Sequence, residues 1–333
     1  MHHGRLDYET ALGLKELRTR IAKAGIPSSK LDESINIATW NIRHFGRGRR
    51  TNQSLHYIAE ILGQFDLIAI TELSKNVRDL KKVIDYLGPY WDVVFSDYTY
   101  DYGGNGERIA YLFDKRAVVF TGLAAELDPP RKKNKSTGEW ETKLSWWRSP
   151  FMASFAAGNF DFVLITAHIR WGNSLKERQR SLQLLADWVD KKRKDAYGID
   201  KDIIVMGDFN IPKIDDDLFK AITSRGLRIP DVLRGMEHGS NLAKDKRYDQ
   251  ILYYPSYTKT FTNKGGIVDF HTGGIDKLYP NKELSHAKYT YQLSDHLPLW
   301  MNLDVDLDDE RIDQVITRAE QRLAKAQRER DQE

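Results

Sequence analysis

The chain has 333 residues, 41% hydrophobic and 30% charged, which suits a soluble globular protein with one large core. Its formal net charge of +3 is too mild to identify nucleic acid as a partner, and the absence of cysteine excludes disulfide staples, thiolate metal sites and cysteine nucleophiles. No apolar run is long enough to span a bilayer and MHHGRLDYETALGLKELRTR has no signal-peptide core, so a cytoplasmic location is expected.

Asp7 to Ala24 carries Ala11, Leu14, Leu17, Ile21 and Ala24 at helical spacing, with Gly25 and Pro27 as a stop. From Ile35 the pattern turns to short β-rich runs: INIATWNI, DLIAIT, WDVVFS, RIAYLF, AVVF, FMASFAA, FDFVLITAHI, DIIVMGDF, YDQILYY and LWMNLDV. DLIAIT and DIIVMGDF are apolar throughout and suit central strands. Helices are expected over Ser54 to Leu62 and over Ser174 to Lys194, the second with Ser174 and Glu177 in capping-box spacing and Leu175, Leu182, Leu185 and Val189 inward. DYGGNGER, with Gly103, Gly104 and Gly106, reads as a hairpin turn rather than a phosphate loop. Asp308 to Glu333 is very polar, with a thin stripe at Ile312, Val315, Ile316, Ala319 and Leu323, and reads as a solvated terminal helix. The expected organisation is a helical extension over 1–33, a main domain over 34–306 and a charged helix over 307–333. Many strands with few helices between them point to α/β architecture with two packed sheets and helices outside.

The informative feature is what stands at the strand ends. Asn41, Glu72, His168, Asp208 and Asn210 close strands, Asp249 opens one, and Asp295 and His296 just precede another. Glu72, Asp208, Asn210 and Asp295 supply the oxygens that a hard cation such as magnesium or manganese prefers. Two imidazoles held by carboxylates, with Asp249 and Glu107 as candidate holders, could clamp or protonate phosphate oxygens. Each piece has a structural alternative: Glu72 as a helix cap, His168 as a satisfied strand-end residue, GDFNIP as a turn, SDH as an N-cap before a proline-marked loop. Their joint occurrence at successive strand ends favours chemistry.

IATWNIRHFG, DLIAITEL, NGERIAYLF, ITAHI, IVMGDFNIP, RYDQILY and LSDHLPL, in this order over Ile35 to Asp304, resemble the deoxyribonuclease-I-like endonuclease/exonuclease/phosphatase superfamily. The resemblance implies a four-layer α/β sandwich of two packed mixed β-sheets flanked by helices, with the site at one end. It implies that Glu72 binds the metal with Asn41 and Asp295 beside it, and that Asp208 and Asn210 handle the attacking water and the phosphate. It pairs His168 with Glu107 and His296 with Asp249, and places Arg148 of WWRSPF at a phosphate- or groove-contacting position. Ser74 departs from the arginine of pancreatic-type deoxyribonucleases, there is no Tyr-x-Pro-Asn run of the abasic-site branch, and YDQILY lacks the Trp-x-Asp-Arg run of inositol-polyphosphate phosphatases.

Basic residues cluster where a substrate would approach. Arg43, Arg47, Arg49 and Arg50 follow the first motif, Arg131, Lys132, Lys133 and Lys135 precede Trp140, Trp146 and Trp147, and Arg170 and Trp171 follow His168. Basic groups beside aromatics suit a phosphate backbone with stackable bases, and Arg47, Arg49, Arg50, Arg148 and Arg170 are the candidate substrate contacts. The function expected is a magnesium- or manganese-dependent phosphodiesterase, an endonuclease on DNA with RNA left open. A phosphomonoesterase or lipid phosphodiesterase on the same site, or a non-catalytic binding module, are the alternatives.

Overall fold

The computed structural model describes residues 1–99, 106–142, 144–172, 174–255 and 260–330. Gly103 and Gly104 lie outside these residues. Gly106 lies within them and has a left-handed backbone, φ +59°.

The first sheet has the strand order β12 (Phe261–Ile267), β13 (Leu299–Asp304), β1 (Ser34–Phe45), β2 (Leu67–Leu73), β4 (Arg108–Asp114), β3 (Trp91–Phe95). The second runs β11 (Asp249–Tyr253), β10 (Ile203–Asp208), β9 (Phe160–His168), β8 (Phe151–Ala157), β5 (Val119–Glu126). β1 and β2 are parallel, as are β9 and β10, and the other pairings are antiparallel. A small exposed hairpin pairs β6 (Lys132–Lys133) with β7 (Trp140–Glu141). Alternation along the strands builds two cores. Ile35, Ile37, Leu67, Ala69, Ile109 and Tyr111 face the second sheet, whereas Ala38, Trp40, Ile68, Ile70, Ala110 and Leu112 face helices.

Those helices are α1 (Tyr8–Ala22), α2 (Asn52–Leu62) and α3 (Arg78–Leu87), with the short α6 (Ile275–Leu278) and α7 (His286–Gln292) beside them. On the far face of the second sheet lie α4 (Leu175–Lys194) and α5 (Asp217–Thr223). The result is the four-layer arrangement, helices on either side of two mixed sheets. Asp7, Thr51 and Ser174 cap α1, α2 and α4 by accepting from the backbone N–H three residues on. Leu175 points out rather than in, at 62% exposure, because it occupies the first turn of α4 beyond the edge of the core. Within α1, Ala11 is exposed and Arg20 is buried: its guanidinium donates to the carbonyl oxygens of Phe270 (2.9 Å), His271 (3.2 Å) and Gly274 (2.8 Å). The last helix, α8 (Asp308–Arg330), carries Ile312, Val315, Ile316 and Leu323 exposed. Among the described residues, no helix is long and apolar enough to cross a membrane.

Candidate active site

Strand pairing brings the polar residues together. In the second sheet, Asp208 is the register partner of His168 on one side and of Asp249 on the other, so three adjacent strands present His, Asp and Asp side by side. Gly207 makes the close approach possible: its φ is +136°, and a Cβ there would run into the Ala167 carbonyl. From the facing sheet, Asn41 donates its amide to both Asp208 Oδ2 (2.9 Å) and Glu72 Oε1 (3.0 Å), linking the two sheets at this end.

Glu72 arrives by a different route. Strand alternation would send it towards the helices with Ile68 and Ile70, but its φ of +61° and the register shift between Ile70 and Leu73 turn the side chain into the site. There its Oε2 accepts the His44 backbone N–H (2.8 Å), and His44 Nδ1 lies 3.5 Å away. His44 (φ +47°) and Asn210 (φ +52°) are also left-handed. Such backbone costs a non-glycine residue about 1–2 kcal/mol, less for Asn, and is held only where the surroundings enforce it.

Both imidazoles are held by carboxylates. His168 Nδ1 lies 2.8 Å from Glu107 Oε2, and His296 Nδ1 lies 2.7 Å from Asp249 Oδ2. The free edges converge: Nε2 of His168 is 3.6 Å, and Nε2 of His296 3.8 Å, from the same Asp208 Oδ2. Burial works against charge on His168, but the bond to Glu107 and the neighbouring carboxylates prevail and raise its pKa. Burial likewise opposes charge on His296, and Asp249 and Asp208 overcome it, raising the pKa to about 10. Asp208 is raised, burial and the Asp249 charge outweighing the imidazoles. Glu72 is lowered despite burial, by His168, the Asn41 amide and the His44 N–H.

Several expected contacts fall elsewhere. Arg50, expected to reach a substrate, is buried: it donates to the carbonyl oxygens of Arg43 (2.5 Å) and His44 (3.2 Å) and lies over the Phe45 ring, so it braces the loop. Arg148 donates to both oxygens of Glu107 (3.0 and 2.9 Å), which makes it a brace for the His168 couple rather than a free phosphate contact. Asp295, expected beside Glu72, is half-exposed and faces Arg43 at 3.7 Å. Asn210 spends its amide on the Ile169 carbonyl (2.7 Å) and its backbone N–H on Asp208 Oδ1 (2.9 Å). Arg47, Arg49 and Arg170 are exposed, and Arg170 stacks on Trp147. Trp146 is buried and fills core.

The residue that sequence reasoning missed is His44. Among the described residues, two groups could hold an ion with ligand atoms within 4.8 Å of one another: His44, Glu72 and Glu107, and Asp208, Asp249 and His296. The signal was its place inside IATWNIRHFG, but only the left-handed turn aims it. α7 supports it: Tyr291 stacks on His44 with ring centres 5.7 Å apart, and Thr290 accepts from Arg43 at 2.5 Å. Oxygen donors dominate the first group, and beside it Asn41 Oδ1 is buried without a hydrogen-bond partner. These residues fit a divalent cation.

The fold recurs in known structures. The human Nocturnin catalytic domain superposes with a TM-score of 0.55 at 14% identity, covering 83% of this chain and 96% of that one. A mannosyl-6-phosphatase of Bacteroides thetaiotaomicron gives 0.52 at 16%, covering 81% and 99%. An endonuclease/exonuclease/phosphatase family protein of the same bacterium gives 0.54 at 18%, covering 83% and 99%. Comparison with curated protein sequences finds no match. The model of the Endonuclease/Exonuclease/phosphatase family matches residues 38–296, and the chain belongs to that family of phosphoester hydrolases.

Proposed function

We propose that the protein is a divalent-metal-dependent phosphodiesterase that cuts nucleic acid, DNA first, by attack of an activated water. The observation that carries the reading is the convergence of two carboxylate-held imidazoles on one oxygen of Asp208. A cation held by Glu72, with His44, Glu107 and Asn41 around it, would supply positive charge against the phosphate oxygens when bound. The chain's own groups do the rest. Asp208, with its pKa raised, is suited to take the proton of the attacking water. His296, raised to about 10, is an imidazolium at neutral pH, so its Nε2–H donates to a phosphate oxygen or to the leaving oxygen. His168 Nε2 faces the same Asp208 oxygen beside it. Asp249 and Glu107 hold both rings in the orientation that presents Nε2, and Arg148 locks Glu107. Exposed Arg47 and Arg49 add sequence-independent attraction for a phosphate backbone.

The test is a supercoiled plasmid incubated with purified protein. Nicking in magnesium or manganese that stops on chelation is expected. An intact plasmid alongside turnover of a phosphomonoester or of sphingomyelin would replace the nuclease reading with the other hydrolase. Inertness of folded, metal-supplied protein on all of these would leave a binding module.

A further inference from the structure

A groove of about 600 Å³ opens beside the carboxylate–histidine cluster, walled by Trp147 and Trp171 and by Arg170, Arg178 and Arg180. Both walls are continuous with the reactive groups. Trp147 precedes Arg148, which is clamped on Glu107. Arg170 follows His168 by two residues, so at most about 7 Å of chain separates their backbones. Trp171 meets Tyr248 edge-on with ring centres 5.6 Å apart, and the Tyr248 ring lies 5.8 Å from that of His296. Arg178 fixes the floor by donating to the carbonyl oxygens of Asn210 and Gly172, both at 2.9 Å.

Each tryptophan carries a guanidinium on its ring. Arg170 lies 3.9 Å from the Trp147 centroid and Arg178 4.3 Å from that of Trp171. Yet Trp147 and Trp171 stay 46% and 56% exposed, whereas neighbouring Trp146 is buried and donates its indole N–H to the Ser181 carbonyl. Packing therefore covers Trp146 and leaves the other two half open to solvent. Two half-exposed rings, each backed by a cation, form a platform on which a flat, electron-rich ring stacks while flanking phosphates meet Arg170 and Arg180.

We propose that this groove is a subsite for an unpaired nucleobase next to the scissile phosphate, so that the preferred substrate is a single strand or a frayed end. The proposal rests on the phosphodiesterase reading above. Inside a duplex a base offers only its edges. Its face becomes available for stacking only when it leaves the stack. A sugar also stacks on aromatic rings, but a pair of rings with three guanidiniums suits a charged polymer whose next phosphate lies beside the base.

The experiment measures binding without cleavage. Fluorescein-labelled oligothymidylate of about ten nucleotides is titrated by anisotropy in EDTA at low salt, against a duplex of the same length. The single strand is expected to bind more tightly. Trp171→Ala and Trp147→Ala each weaken it by roughly 5- to 100-fold at an unchanged melting temperature, and Trp171→Phe restores most of the loss. Equal binding of duplex and single strand, alanine variants within about twofold of the parent, or a sugar phosphate that competes better than thymidine monophosphate would overturn the proposal. Protein that cuts nothing yet binds the single strand through Trp171 would remove the catalytic reading and leave the subsite standing. Cleavage of DNA indifferent to Trp147 and Trp171 would do the reverse.

Discussion

The two sheets share a plan and differ in how they deliver side chains. Each is centred on a parallel pair joined through a helix, β1–α2–β2 in one and β9–α4–β10 in the other. In the second sheet His168, Asp208 and Asp249 stay in register, and their spacing is that of neighbouring strands. In the first sheet the register breaks at both strands, and left-handed His44 and Glu72 swing into the site. Regular pairing fixes short, repeatable distances between the groups to which we assign proton transfer. A broken register gathers donors from positions that alternation would send elsewhere.

The contrast predicts that the sheets fail differently. Asp208→Asn lowers hydrolysis by about 10²–10⁴-fold, and raising the metal concentration does not restore it. Rescue by metal would reassign Asp208 as a ligand. Glu72→Ala lowers metal affinity at least about tenfold by isothermal titration calorimetry, and activity returns as metal is raised. His44→Ala moves the same way by less. Losses that ignore metal concentration in both sheets would dissolve the distinction.

Acidity separates the site from the opposite side of the first sheet, where His56 stacks on Tyr86 and lies 3.0 Å from His3. His296 has its folded pKa raised from 6.5 to about 10, so its contribution is whole below 6.5 and is lost as pH climbs towards 10. His56 has its folded pKa lowered from 6.5 to about 4, by burial and then by His3. The unfolded chain therefore takes up that proton first, and stability declines as pH falls from 6.5 towards 4. The urea midpoint of chelated protein should fall on both sides of neutrality, with His296→Gln flattening the alkaline limb and His56→Gln the acid one. A limb unmoved by its variant removes that histidine from the account.

The smallest effect is the sharpest. At left-handed position 72, metal-free Glu72→Gly should be more stable than Glu72→Ala by about 1 kcal/mol. At extended position 208 the order reverses, Asp208→Ala exceeding Asp208→Gly by about 0.5–1 kcal/mol. The same order at both positions in urea titrations would mean that the backbone difference carries no energy.

The strands were legible because β-branched apolar runs dominate them, and the residues at their ends stood out because polar groups close otherwise apolar segments. What escaped depends on distant partners. β12 is missing from the expected strands, since FTNKGGI has two glycines and little apolar alternation, yet it pairs with β13, and the bare Gly265 lets it lie against Met301 and the Trp300 carbonyl. The inward turn of Arg50 follows from carbonyl oxygens of its own loop, not from its composition. Asp295 sits beside His296 in sequence, but consecutive side chains diverge, and Arg43 takes it. Nothing in ELRTRIA marks Arg20 for burial, because its acceptors lie some 250 residues on.

That arginine makes the start of the chain a strut for the end that carries the candidate site. The segment it grips runs on to α7, whose Tyr291 backs His44, and to Ser294, whose hydroxyl donates to the Asn41 carbonyl at 2.6 Å. Trimming the first two dozen residues would strip three carbonyls of their donor and let this shelf drift. Weaker binding of the proposed ion would then precede any loss of strand order, and a deletion far from the candidate site would present itself as a defect in ion binding.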